Sequence, residues 1–235
     1  MIRTFAERYG VSLIHGWGMT EMSPVGSLST PKPKLLAEDR EAEYASRARQ
    51  GRPLYGIEFK IVAPDGRRLP EDGIASGELL VRGPWVIGAY YDDEAASRNA
   101  FDAEGWFRTG DVATIDAEGC MQIVDRSKDV IKSGGEWISS IDLENAAMGH
   151  PDVAEAAVIG LPHPKWDERP LLVIVAKSGR ELAADLVIGF LEGKVAKWQL
   201  PDDVVFVPEM PHGATGKVLK TQLREMFKDH RLPTV

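Results

Sequence analysis

The 235-residue chain carries one cysteine, Cys120, which excludes a disulfide scaffold and a thiolate metal cluster. No apolar run approaches the roughly 20 residues of a membrane-spanning helix. The opening Met1-Ile2-Arg3-Thr4-Phe5 has no apolar core of signal-peptide length. Positive charge is in deficit: 28 Lys and Arg against 36 Asp and Glu give −8, which removes the electrostatic case for a nucleic-acid or anionic-membrane binder. Histidine is sparse, and His15, His150, His163, His212 and His230 show no H-x-x-x-H spacing of the zinc motifs. What is there is an ordinary globular balance, 43% hydrophobic and 27% charged, in enough chain for one large or two small domains. The reading is a soluble chain of a reducing, cytoplasmic compartment, with no nucleic-acid partner and no integral membrane segment.

The patterning divides near residues 125–128, where charges replace apolar residues, giving a first region 1–127 and a second 128–235. In the first, spacing predicts a helix over 2–9, a short strand over 11–14 and a polar excursion over 30–50 with a helix around 37–49. Alternation then predicts strands over 56–62, 78–83, 111–115 and 120–124, with turns at Asp65-Gly66 and residues 116–119: a small, mostly antiparallel sheet or barrel. In the second region the pattern predicts a helix over 140–150 capped by Ser140, strands over 153–160 and 171–176 around a loop, and a helix over 183–194. A short strand over 204–206 and a helix over 220–229 complete an α+β sandwich.

Four clusters could carry chemistry, and each has a bland alternative. Trp17-Gly18-Met19-Thr20-Glu21 places a hydroxyl and a carboxylate beside a glycine turn, which suits phosphate oxygens and a divalent cation, with Trp17 able to stack on a base; Thr20 as a mere helix cap is the alternative. Gly105-Trp106-Phe107-Arg108-Thr109-Gly110-Asp111 ends in an aspartate that could accept from a ribose diol or only from its own turn. Residues 125–136 join charges to Gly134-Gly135, a hinge and permissive loop or a solvated linker. Pro211-His212-Gly213-Ala214-Thr215-Gly216-Lys217 departs from the phosphate loop G-x-x-x-x-G-K-[ST], since Pro211 and Val218 stand at its first and last positions. It leaves a lysine on a glycine-rich loop before a helix, able to stabilise charge developing on a phosphate or carboxylate.

In this order and at these intervals, the four clusters resemble the adenylate-forming superfamily of acyl-CoA synthetases, nonribosomal adenylation domains and luciferases. Gly134-Gly135-Glu136-Trp137-Ile138-Ser139-Ser140, residues 163–170 and residues 196–203 are similar to medium- and long-chain fatty-acyl-CoA synthetases and to methylmercaptopropionate-CoA ligases. The resemblance implies an α+β fold. Residues 1–127 would be the C-terminal part of the large AMP-binding domain, with a small β-barrel-like subdomain, and residues 128–235 the mobile C-terminal domain. It also implies an ATP-dependent acid–CoA ligase that uses a small carboxylic acid, ATP, Mg²⁺ and CoA, and that forms a homodimer at full length.

Residue by residue, the resemblance gives Trp17 and Gly18 to the nucleotide, Thr20 to phosphate oxygens and Glu21 to Mg²⁺. Asp111 and Arg126 go to the ribose, Lys217 to the reacting carboxylate and α-phosphate, and Lys128 to the hinge. Gly134, Gly135, Glu136 and Trp137 go to CoA, with Trp166, Trp198 and Glu168 either joining them or packing. Trp17 stands where the family has tyrosine and still offers a π face. The family's Thr-Ser-Gly-Thr-Thr-Gly type of loop does not occur, so the expectation is the C-terminal portion of a ligase, inactive by itself. The alternative is a catalytically incomplete remnant that binds nucleotide, CoA or a partner. A luciferase-like oxidoreductase ranks below both, because the Gly-Gly-Glu-Trp-Ile-Ser stretch matches CoA ligases better.

Overall fold

The computed structural model describes residues 1–33, 39–180, 182–214 and 216–235. The chain forms two compact units, Met1–Ser127 and Lys128–Val235, and the fold is a mixture of helices and largely antiparallel sheets in both.

The first unit opens with helix α1 (Ile2–Tyr9), closed by Gly10 in the left-handed region. Phe5 and Tyr9 meet four residues apart, with ring centroids 5.7 Å apart, but both remain exposed. The strand expected over 11–14 is absent. Val11 and Ile14 are exposed, and pairing begins only at β1 (Gly16–Gly18), which runs antiparallel to β2 (Val25–Leu28) and through it to β3 (Arg52–Pro53). Helix α2 spans Arg40–Ala48, capped by Asp39; the part of the expected helix at 37–38 lies outside the described residues.

The second sheet of this unit is a meander of β4 (Glu58–Val62), β5 (Ser76–Arg82), β6 (Phe107–Ile115) and β7 (Met121–Arg126), in that spatial order. Helix α3 (Glu94–Ala100) lies between β5 and β6 in sequence. Among the described residues these pairings leave the meander open, where a barrel was one expectation; a Gly51–Met121 bridge ties it to the three-stranded sheet. Alternation explains its faces. Phe59, Ile61, Leu79 and Val81 enter the main core with Met22, Phe107, Ile115 and Met121. On the other face, Leu80 and Val62 pack with Trp106. Lys60 also lies on that face and is nevertheless buried, with its ammonium 2.7 Å from Asp102 and 2.9 Å from Glu104.

The second unit is a five-stranded sheet with helices on both sides. Its strands are β8 (Ile131–Ser133), β9 (Glu136–Ile138), β10 (Val153–His163), β11 (Asp167–Ala176) and β12 (Asp203–Phe206); β12 is parallel to β11 and the other pairs are antiparallel. Helices α4 (Ser140–Met148) and α5 (Ala184–Leu191) contribute Leu143, Ala147, Val187 and Leu191 to one core with Val158, Leu172 and Ile174. Helix α6 (Lys220–Met226) contributes Leu223 to the other, with Ile159, Leu161, Leu171 and Val173. Because both faces of β11 are covered, Leu171-Leu172-Val173-Ile174 is continuously apolar rather than alternating.

Three expectations change here. The cap of α4 is Ser139, whose hydroxyl accepts from the Asp142 amide at 3.1 Å, while Ser140 is buried and accepts from Lys220 Nζ at 2.6 Å. The loop expected over 161–169 shrinks to residues 164–166, because β10 and β11 pair as far as His163 opposite Asp167. The stretch read as a hinge with a permissive loop contains a β-hairpin, with Ile131 opposite Ile138 and Ser133 opposite Glu136. Gly134 (φ 60°) and Gly135 (φ 88°) form its two-residue turn, where both positions require positive φ.

Candidate functional site

In the first unit residues of three predicted clusters converge. β1 carries Trp17, whose indole Nε1–H donates to Asp111 Oδ2 at 3.0 Å. Asp111 on β6 faces Arg126 on β7 in register, and Arg126 Nε lies 2.9 Å from Asp111 Oδ1. Aromatic ring, carboxylate and guanidinium thus form one chain, with the carboxylate buried and the arginine half exposed. Phe59 meets Trp17 edge-on at 5.7 Å, fixing the plane of the indole. The Gly16-Trp17-Gly18 segment is a strand rather than the turn expected of it. Gly18 is required by close approach, since a Cβ there would collide with the carbonyl of Pro24.

Beyond the strand, Thr20–Met22 makes one 3₁₀ turn with Met19 before it, so Thr20 does not cap it and its side chain is exposed. Glu21 accepts from the Tyr90 hydroxyl at 3.0 Å, and its own carbonyl accepts from the Ile87 amide at 2.9 Å. Burial, followed by the Glu21 carboxylate, pushes the Tyr90 phenol above its ordinary range, so it remains a donor. Tyr90 lies 69 residues from Glu21 and carries no motif, so nothing in the sequence pointed to it. Among the described residues no group of three His, Cys, Asp or Glu side chains is placed to hold a metal by itself. Glu21 fits a cation that takes most of its ligands from phosphate and water, as Mg²⁺ does.

At the boundary, each side of Lys128 is tied within its own unit. The Ser127 amide donates to Gly110 O at 2.9 Å, while Arg224 holds the Lys128 carbonyl at 3.0 Å and Asp129 at 2.7 Å. Lys128 itself is exposed.

The second unit holds two features. Lys217 is exposed and has no ion-pair partner among the described residues. Its loop is a tight hairpin: the Gly213 amide donates to Lys217 O, Leu219 to Pro211 O, and His212 Nε2 lies 2.9 Å from Glu155 Oε2. Thr215 of the same loop lies outside the described residues. The other feature is a cleft of about 550 Å³ bordered by Gly134, Glu136, His163, Lys165, Trp166, Arg169 and Trp198, among others. Trp166 and Trp198 are each nearly half exposed along it.

Within this cleft, Arg169 acts as a structural bolt. It reaches Asp202 at 2.6 Å, Ser133 Oγ at 3.1 Å and the carbonyls of Trp198 and Leu200 at 2.8 and 3.0 Å. A Cβ on Gly134 would lie 2.9 Å from the Trp166 ring, so the hairpin turn sits directly against that wall. Gly135, Trp137 and Glu168 do not line the cleft. Trp137 follows Glu136 on a strand and so points to the opposite side, and Glu168 is occupied by the Lys132 amide at 2.9 Å.

The family model for AMP-binding enzymes matches residues 1–91, and that for the AMP-binding enzyme C-terminal domain matches residues 142–217. A 3-methylmercaptopropionyl-CoA ligase of Ruegeria lacuscaerulensis is 54% identical over 232 residues, covering 97% of this chain and 42% of that protein. A medium-chain-fatty-acid–CoA ligase of Ectopseudomonas oleovorans is 50% identical, with 97% and 41% covered. Among solved structures, ATP-bound MatB from Rhodopseudomonas palustris superposes with a TM-score of 0.81 at 30% identity, covering 97% of this chain and 43% of that one. The chain spans about two-fifths of the length of the curated relatives it matches. With both family regions present in order, and with Trp17, Asp111 and Arg126 joined in the first unit, the chain belongs to the AMP-binding, adenylate-forming enzyme family.

Proposed function

We propose that this chain supplies the C-terminal part of an ATP-dependent acid–CoA ligase. A carboxylate attacks the α-phosphorus of ATP, forming an acyl-adenylate and releasing pyrophosphate. The thiol of CoA then attacks the acyl carbon, so that a C–S bond forms, the acyl C–O bond breaks and AMP leaves. The observation that carries this reading is the Trp17–Asp111–Arg126 chain. It sets an aromatic face beside a carboxylate whose two oxygens are oriented by an indole N–H at 3.0 Å and a guanidinium at 2.9 Å.

In this reading Trp17 and Gly18 meet the base and Asp111 and Arg126 the ribose, while the exposed Thr20 hydroxyl meets phosphate oxygens. Glu21, steadied by Tyr90, would hold Mg²⁺, which when bound neutralises phosphate charge. Lys217 carries its ammonium to the carboxylate and α-phosphate during adenylation. Lys128 is the hinge about which that lysine is later withdrawn. The hairpin at Gly134-Gly135 and the cleft between Trp166 and Trp198 receive CoA, with Glu136 at its rim. Gly135 and Trp137 would act only through the shape of the hairpin. A cytoplasmic setting goes with this chemistry.

Calorimetric titration of the chain with AMP and, separately, with CoA tests the reading. Binding of both, with AMP lost in Asp111→Asn and CoA unaffected, is the expected result. Pyrophosphate release with a panel of carboxylic acids then follows, in a protein joining this chain to the remaining length of its relatives. A chain that binds neither ligand, or a joined protein that binds both and turns over no acid, overturns the proposal.

A further inference from the structure

Among the described residues two buried side-chain polar atoms have no hydrogen-bond partner, Ser127 Oγ and His163 Nε2. The second belongs to a residue that borders the cleft. His163 is the last residue of β10 and only 7% exposed. Its Nδ1 accepts from two backbone amides of the following turn, Lys165 at 3.1 Å and Trp166 at 3.2 Å. A ring nitrogen that accepts carries no proton, so in the neutral imidazole the proton sits on Nε2, which is therefore a donor. The local fold thus fixes the tautomer and then leaves the donor unmet. Buried donors are paired in the great majority of cases, and an unpaired one calls for an explanation.

The cleft supplies the explanation. The same turn that satisfies Nδ1 presents Trp166, whose ring carries Lys165 Nζ 4.5 Å from its centroid and stands against Gly134. Trp198 stands on the wall held by Arg169. The walls therefore offer indole faces, and Arg169 is fully engaged with protein acceptors. Among the described residues bordering the cleft, His163 is the one whose side-chain donor is buried and has no acceptor. We propose that His163 Nε2–H is a contact residue for CoA, donating to an acceptor atom of the thiol substrate when it enters this cleft. This rests on the reading of the cleft as the CoA site.

The test uses the 235-residue chain, since every residue involved lies in its second unit. Nitrogen-15 spectra of the histidine side chains should show His163 as the Nε2–H tautomer, and addition of CoA should shift that resonance. His163→Asn keeps a side-chain oxygen able to accept the amides of residues 165 and 166, as asparagine does in turns, but draws the donor back. Its affinity for CoA, read from quenching of tryptophan fluorescence, should fall by about fivefold, the scale of one lost hydrogen bond. His163→Asp, which offers no donor, should lose at least as much. AMP binding should be unchanged in both.

An unmoved resonance on saturation with CoA, or unchanged affinity in folded His163→Asn and His163→Asp, overturns the role of His163. Trp198→Ala separates this from failure of the underlying reading. If it weakens CoA while the histidine variants do not, only His163 is misassigned; if CoA binds none of these proteins, the cleft itself is misassigned and the proposal falls with it.

Discussion

The two units treat their functional side chains in opposite ways. In residues 1–127 the site is tied together in advance: Trp17 to Asp111, Asp111 to Arg126, Glu21 to Tyr90. In residues 128–235 the groups of interest are held in place but left unspent. Among the described residues, Lys217 at the end of a hairpin has no ion-pair partner, and His163 is oriented through one nitrogen and unmet at the other. A pre-tied cluster suits a ligand bound in one geometry, because its reorganisation cost has been met by folding. Unspent groups suit a part of the molecule that takes different contacts at successive steps. In the function proposed above, binding geometry is concentrated in one unit and adaptability in the other.

The sharpest way to break this comparison is Arg169→Ala. The Arg169 and Asp202 side chains are mostly shielded from solvent, and since removing one partner of a fully buried pair typically costs about 3–5 kcal/mol, a loss toward the lower end of that range is expected. The loss should appear only in the unfolding of the second unit, with AMP binding by the first preserved; Leu79→Ala should do the converse, at about 3 kcal/mol. Urea denaturation with AMP and CoA titrations checks both, and a joint loss would mean the units do not fold as separate bodies. Lys217→Ala, in a protein joined to the remaining length of its relatives, should slow adenylation by roughly 10²–10³-fold. Thioester formation from preformed acyl-adenylate should survive. An equal fall in both half-reactions would remove Lys217 from its assigned step.

Smaller effects sharpen the picture. Gly134→Ala should cost about 1–2 kcal/mol, for a positive φ and a Cβ pressed on Trp166, and should also weaken CoA; Gly135→Ala, with open space around it, should cost less. Thermal melts and CoA titrations distinguish them. The smallest expected effect is on pH. Burial pushes the Asp102 carboxyl up, but Lys60 and the amides of Trp106 and Glu104 outweigh it and hold the group below its ordinary range. A carboxyl depressed in the folded state contributes stability above the ordinary carboxylate range and loses it as pH falls through the folded value. The first unit should therefore soften in acid, and Asp102→Asn should flatten that limb while lowering stability near neutrality; an unchanged acid limb would refute it.

Much of this was legible beforehand because the signals were local. The helix over 2–9 falls on its predicted residues, as its apolar pair at Phe5 and Tyr9 is read within one turn. The meander strands were legible from alternation and glycine turns, with ends displaced by at most four residues. The strand expected over 11–14 failed because apolar residues alone do not make a strand; a partner must reach them, and among the described residues none pairs there. The Gly134-Gly135 hairpin was hidden because its strands are three residues each, too short for periodicity to register. Ser139 and Ser140 are chemically alike, and only the approach of Lys220 from 80 residues away separates cap from buried partner. His163 was passed over because no histidine spacing marked it, and its significance lies in an acceptor it lacks.

What the sequence determined by itself is the order of the chemistry: the glycine-flanked Trp17, the Gly-Asp at 110–111, the paired glycines at 134–135 and the lysine at 217. Motifs are strings, and strings are preserved without folding. Only the tertiary structure decided which of those groups meet. Asp111 reaches Trp17 across 94 residues because β6 pairs with β7 while packing brings β1 alongside. His163 keeps a free N–H because a strand end and its turn consume one ring nitrogen and, among the described residues, no acceptor meets the other. Hydrogen bonds act over about 3 Å and are indifferent to sequence separation, so the pairing of distant residues belongs to the fold.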